Sequence, residues 1–109
     1  MFPPKFDACI AACNACAVAC NACAAACLRE QDVARMSRCI ALDIDCAAIC
    51  RLAAGAMARD SEFARRISRM CADICKSCGD ECDRHHNEPC RQCAQACRDA
   101  SRECMQVVG

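Results

Sequence analysis

Cys9-Ile-Ala-Ala-Cys13-Asn-Ala-Cys16-Ala-Val-Ala-Cys20-Asn-Ala-Cys23-Ala-Ala-Ala-Cys27 sets the fold. The cysteines recur at steps of 4, 3, 4, 3 and 4. That spacing puts every thiol on one stripe of an α-helix, along the seam where Leu or Ile would face a partner helix. A helix with sulfur at each seam position has built its interior from soft-metal ligands.

The same rule continues along the chain, which holds 17 cysteines in 109 residues. Pairs of CxxxC type fall at 9–13, 16–20, 23–27, 46–50, 71–75, 78–82 and 93–97. One such pair is a weak signal, but seven in phase are a strong one. Cysteine can also serve as a small apolar core residue. Packing alone does not explain so many, because Ala, Val or Leu would fill a seam without risk of oxidation.

Four helices are predicted. The first covers residues 4–28, with Pro3 and Pro4 in its first turn, where a missing N–H costs little. Residues 29–32 form a turn, with Asp32 as the expected cap of a second helix that runs to about Ala58. The seam of that helix reads Met36, Cys39, Asp43, Cys46, Cys50, Ala53, Met57. Asp60 or Ser61 is expected to cap a third helix bearing Cys71, Cys75, Cys78 and Cys82, with Ala64 and Ile67 or nearby residues as its earlier apolar seam positions. His85, His86 and Asn87 form the last connection, with Asn87 as cap and Pro89 in the first turn of the fourth helix. Its seam is Cys90, Cys93, Cys97, Ala100 and Cys104. Long helices joined by short loops favour antiparallel neighbours. The expected fold is one all-α domain over residues 1–109, an up-down-up-down four-helix bundle with a cysteine-lined core.

Composition narrows the function. Fourteen basic residues balance 14 acidic ones, so no basic excess points to nucleic acid or an anionic membrane. The amino terminus lacks a basic region followed by an apolar run, and no stretch approaches a membrane span by inspection. These features predict a cytosolic protein, where thiols stay reduced. Disulfides are also disfavoured by geometry. Thiols at i and i+4 have Cβ atoms ~5–6 Å apart, and a disulfide wants ~3.5–4.5 Å.

Soft thiolates select Cu(I), Zn(II) or iron–sulfur clusters. Each zinc bound by four thiolates carries net charge −2, so filling the seams with zinc would bury about four dianions without a Lys or Arg to offset them. Cu(I) at about one ion per thiolate leaves the core near neutral, and it accepts two or three sulfurs, which a stripe supplies. The CxxC pairs at 13–16, 20–23, 75–78 and 90–93 lie mostly within helices, with no preceding strand, which argues against a dithiol oxidoreductase. No enzymatic role is expected. A metal-responsive sensor and a zinc or iron–sulfur protein are the alternatives.

In an antiparallel bundle, Cys27, Met36, Cys82, His85, His86 and Cys90 gather at one end. Imidazole and thioether bind Cu(I) less tightly than thiolate, so they suit an entrance. His85 and His86 read equally as solvated loop residues, and Met36 as a core filler. The opposite end, with Met57, Phe63, Ile67, Met70 and Met105, is expected to be a closed apolar plug. Asp43 interrupts the thiols of the second helix. A carboxylate there wants a histidine or a copper ion, or else a helix rotation that half-exposes it and fully exposes Asp45. Val33, Ile40, Leu42, Ile44, Ile49 and Leu52 form a second apolar set off the seam, read as a subunit contact.

Three stretches carry a family resemblance: Cys9 to Cys27, Cys39-Ile-Ala-Leu-Asp-Ile-Asp-Cys46-Ala-Ala-Ile-Cys50, and Glu81-Cys82-Asp83-Arg84-His85-His86-Asn87-Glu88-Pro89-Cys90. Over nearly its whole length the chain resembles the four-helix-bundle copper storage proteins, in their cytosolic branch. The resemblance implies many Cu(I) ions per bundle, a homotetramer, no turnover, and histidines near a mouth. Copper donor or acceptor proteins are candidate partners that the sequence does not identify. Relatives often carry a histidine immediately ahead of the fourth-helix cysteine. Pro89 stands there in this chain, which leaves His85 and His86 as the candidates.

Overall fold

The computed structural model describes residues 4–109, so Pro3 lies outside the described residues. It contains four α-helices: α1 Asp7–Cys27, α2 Ser37–Ala58, α3 Ala64–Cys82 and α4 Glu88–Val108. Short 3-10 turns, Pro4–Phe6 and Val33–Met36, lead into α1 and α2. Around the bundle, α1 packs on α2 and α4, and α3 packs on the same two. Sulfur pairs show the direction of each neighbour. Cys9 meets Cys104 while Cys27 meets Cys90, so α1 and α4 are antiparallel. Cys39 meets Cys82 while Cys50 meets Cys71, so α2 and α3 are antiparallel too. The result is the expected up-down-up-down bundle. It is thin, 44 × 19 × 18 Å, because Cys and Ala at the seams hold no large side chain between the helices.

The helix ends refine the expected boundaries. Proline starts a 3-10 turn, and α1 proper begins at Asp7. Asp32 precedes a 3-10 turn and makes no side-chain cap bond, and α2 begins at Ser37. At the end of α2 the chain closes with two reverse bonds, Ser61 N–H to the Ala56 carbonyl (2.9 Å) and Asp60 N–H to the Met57 carbonyl (3.1 Å). This pair of bonds requires a left-handed residue, and Asp60 takes it with φ 52°. Asp60 therefore ends α2. Ser61 is the cap of the next turn, its Oγ accepting the Phe63 N–H at 3.1 Å. Asn87 occupies the cap position of α4 in an extended conformation but makes no side-chain cap bond.

Three other expectations change. Ile67 is only partly buried, and Ser68 takes the α3 seam position with no exposure. The α3 seam thus reads Ala64, Ser68, Cys71, Cys75, Cys78, Cys82, again in steps of 4 and 3. Phe63, Met70 and Met105 do not plug the far end, being 51%, 54% and 44% exposed. That end is closed instead by Phe6, Ile10, Met57 and Ala64, all buried. Lastly, residues Pro4–Cys27 do form a helix long and apolar enough to cross a membrane by length and composition, with an 18-residue window of mean hydropathy 1.7. Its apolarity comes largely from Ala and Cys, and its cysteine stripe faces the other helices.

Candidate metal centre

All 17 cysteines are buried and unpaired by disulfide. Constant heptad spacing on four antiparallel helices stacks them in levels, with one residue per helix at each level. Cys16, Cys46, Cys75 and Cys97 make one level, with Cys16–Cys46 at 3.7 Å, Cys46–Cys75 at 3.5 Å and Cys16–Cys97 at 3.7 Å. Cys23, Cys39, Cys82 and Cys90 make another, with Cys23–Cys90 at 3.5 Å and Cys39–Cys82 at 3.7 Å. Toward the closed end, Cys13, Cys50 and Cys71 share a level with Ala100, and Cys9 and Cys104 share the next with Ala53 and Ser68. Cys9 and Cys104 approach to 3.3 Å.

Levels are bridged along each helix by i,i+4 contacts such as Cys16–Cys20 at 3.8 Å and Cys71–Cys75 at 3.8 Å. Sulfur therefore follows sulfur within 4.0 Å from Cys9 and Cys104 to Cys20 and Cys93. Asp43 links Cys93 to Cys39, Cys78 and Cys82, and Cys39 groups with Cys23, Cys27 and Cys90 within 4.8 Å. Several sets of four have their ligand atoms within 4.8 Å of one another: Cys16/Cys46/Cys50/Cys75, Cys16/Cys20/Cys46/Cys97, Cys20/Cys78/Cys93/Cys97 and Cys23/Cys27/Cys39/Cys90. Contacts near 3.5–4.0 Å suit S–H···S hydrogen bonds between protonated thiols. They also leave ion-sized positions between sulfurs once the protons go.

Asp43 takes the α2 position in the level of Cys20, Cys78 and Cys93. It is completely buried, so the alternative of a half-exposed Asp43 does not hold, although Asp45 is exposed as expected. No histidine pairs with it among the described residues. Its Oδ1 accepts S–H bonds from Cys78 (3.2 Å), Cys93 (3.4 Å) and Cys82 (3.7 Å), and its Oδ2 accepts one from Cys39 (3.8 Å). It also shares a compact group with Cys23, Cys39 and Cys82. Burial away from water, the largest cause, pushes the carboxyl up to about 10. Asp43 is therefore a neutral acid at pH 7. Burial also pushes the Cys27 and Cys90 thiols up. Asp43 and these two thiols therefore carry no charge at pH 7.

The end of the bundle separates the two histidines. His86 is exposed. His85 is 8% exposed, and its Nε2 lies 2.9 Å from Glu81 Oε2. Its Nδ1 is buried without a partner. A buried ring nitrogen with no partner is the atom a metal would satisfy, and a carboxylate on the opposite nitrogen is the usual orienting contact of a ligating histidine. Met36 is buried too. Glu81 itself is buried and held by Arg38 Nε at 3.3 Å and Arg84 at 3.5 Å. The sequence reading assigned no role to Glu81 or Ser68. Glu81 was visible as the residue four before His85, one turn away on the same face. Ser68 was visible only as a 3-residue step back from Cys71, which competed with the more apolar Ile67.

A four-helix bundle whose inner levels are thiol rings is a polynuclear soft-metal protein by construction. Residues 3–109 match the family model for copper storage protein (Csp). The chain belongs to the copper storage protein family, whose role is storage rather than catalysis. The Cu(I)-bound copper storage protein BsCsp3 is 44% identical and superposes with a TM-score of 0.92, over 96% of this chain and 99% of that one. The apo form of copper storage protein 3 from Bacillus subtilis is 43% identical, with a TM-score of 0.89, over 95% and 99%. A cytosolic copper storage protein from Streptomyces lividans, loaded with five coppers, is 41% identical, with a TM-score of 0.92, over 95% and 92%. The uncharacterized cysteine-rich protein YhjQ of Bacillus subtilis is 47% identical over 28 residues, so that match spans about a quarter of either protein.

Proposed function

We propose that this protein is a cytosolic store of Cu(I), holding multiple ions per chain on the thiolates of its cysteine ladder. The observation that carries this reading is the extent of the ladder: every thiol is buried and lies within 4.0 Å of another ligand atom. A site for one ion needs two to four ligands, whereas a ladder of this length has use only for many ions. At about one Cu(I) per thiolate each ion has replaced one thiol proton, so the filled core is near neutral and no cationic side chain is needed. Asp43 fits the same balance because it is neutral beforehand. Soft Cu(I) prefers the sulfurs around it, and Asp43 serves them as a hydrogen-bonding acid.

Copper enters at the level of Cys27, Met36 and His85. The partnerless His85 Nδ1 supports His85 over the exposed His86 as the first nitrogen ligand. The protein has no catalytic turnover and exchanges copper with donor and acceptor proteins. It assembles with copies of itself, the tetramer being the form its resemblance implies. Val18, Ile44 and Leu52 stand 59%, 57% and 50% exposed on α1 and α2, and α1 carries no charge after Asp7, so this side is suited to burial between subunits.

Anaerobic Cu(I) titration against a chelator competitor tests the proposal. Uptake should continue well beyond a single cluster, with proton release and without visible colour. Saturation at only about two or three ions per chain would support a sensor or carrier instead. Colour as purified would support an iron–sulfur protein.

A further inference from the structure

The entrance carries an unexplained surplus of guanidinium. Arg35, Arg38, Glu81, Arg84 and His85 line one surface hollow of about 350 Å³. Glu81 offsets only one of the three arginines. Arg38 reaches it through Nε alone, Arg84 through one terminal nitrogen, and Arg35 makes no ion pair among the described residues. All three are exposed. The acids Glu30 and Asp32 line a separate hollow with Arg35 and Met36, so the basic surface is confined to the His85 side. If the arginines served only to neutralise buried Glu81, one would suffice. Free guanidinium forks around a small hollow match carboxylates. The volume is that of a small-molecule site, far below a protein-sized footprint.

We infer that the hollow ringed by Arg35, Arg38 and Arg84 beside His85 receives Cu(I) as an anionic, carboxylate-bearing low-molecular-weight bis-thiolate complex. This rests on the entrance reading given above. A cuprous ion with two thiolates already carries charge −1, and carboxylates add to it. The arginines hold the carboxylates, which places copper next to His85. Transfer is a ligand exchange without redox: [Cu(SR)2]⁻ + 2 Cys–SH → [Cu(S–Cys)2]⁻ + 2 RSH. Two copper–sulfur bonds to the carrier break and two to the protein form. The two cysteine protons leave on the carrier thiols, and copper stays cuprous.

The test is anaerobic stopped-flow loading of the full chain from two donors, Cu(I)–glutathione (anionic) and the Cu(I)–acetonitrile cation. Wild type should load from Cu(I)–glutathione more slowly as salt rises. Arg35→Glu should slow that reaction about 10-fold and speed loading from the cation, with Arg35→Gln intermediate. Circular dichroism confirms that each variant is folded. Salt-independent loading from Cu(I)–glutathione, or an equal effect of Arg35→Glu on both donors, overturns the inference. His85→Ala separates the two layers of argument. If it slows both donors while Arg35→Glu leaves Cu(I)–glutathione loading untouched, the entrance stands and the anion site falls. If it slows neither, the entrance falls and takes this inference with it.

Discussion

Replacing Asp43 by Asn probes the charge state of the core directly. The folded carboxyl keeps its proton up to about pH 10, while the unfolded chain releases it near 3.8. The folded state therefore binds the extra proton, and stability must fall as pH rises through that window. At pH 7 the penalty is set by the unfolded value alone. Roughly three units at ~1.4 kcal/mol each make about 4 kcal/mol. Asn keeps a carbonyl to accept from Cys78 and Cys93 and has no proton to lose. Urea unfolding of the reduced apo protein between pH 5 and 7 measures the effect, at one protomer concentration so that assembly cancels. The stability of D43N relative to wild type should grow by about 1.4 kcal/mol per pH unit, near 3 kcal/mol over the range. The thiols and the two histidines are common to both proteins. Parallel profiles would mean that Asp43 is ionised in the fold, and the neutral-core argument would fail.

Three further outcomes follow from particular contacts. His85→Ala should slow copper loading severalfold with unchanged capacity, and His86→Ala should do much less; equal effects would remove the distinction drawn from the unpartnered Nδ1. A Cβ on Gly79 would lie 3.2 Å from the Cys97 Cβ, so Gly79→Ala should push α3 from α4 and lower apo stability by about 1–2 kcal/mol despite better helix propensity, read as a fall in Tm. Ile44→Lys with Leu52→Lys should reduce the solution mass, measured by light scattering, and leave copper capacity intact; an unchanged mass would place the subunit contact elsewhere.

The alternation of 3 and 4 between cysteines carried most of this protein. It specified helices, their inward faces, their antiparallel order through short loops, and a soft-metal interior, because helical periodicity is a local property that each segment expresses alone. Where two local signals competed, the chain did not decide. Ile67 outranked Ser68 on polarity, yet the stripe set by Cys71 to Cys82 carries Ser68 inward. Met70, Phe63 and Met105 looked like a plug, yet Phe6 and Met57 reach the axis first and leave them outside. Relations between segments lay further still from the sequence. The levels that join Cys16 to Cys75, the thiols that surround Asp43, and the Glu81 contact that leaves one nitrogen of His85 unmet all depend on how four helices are set against each other. Register and burial are collective, and the charge state of an acid or the free atom of an imidazole is fixed only when every neighbour is in place.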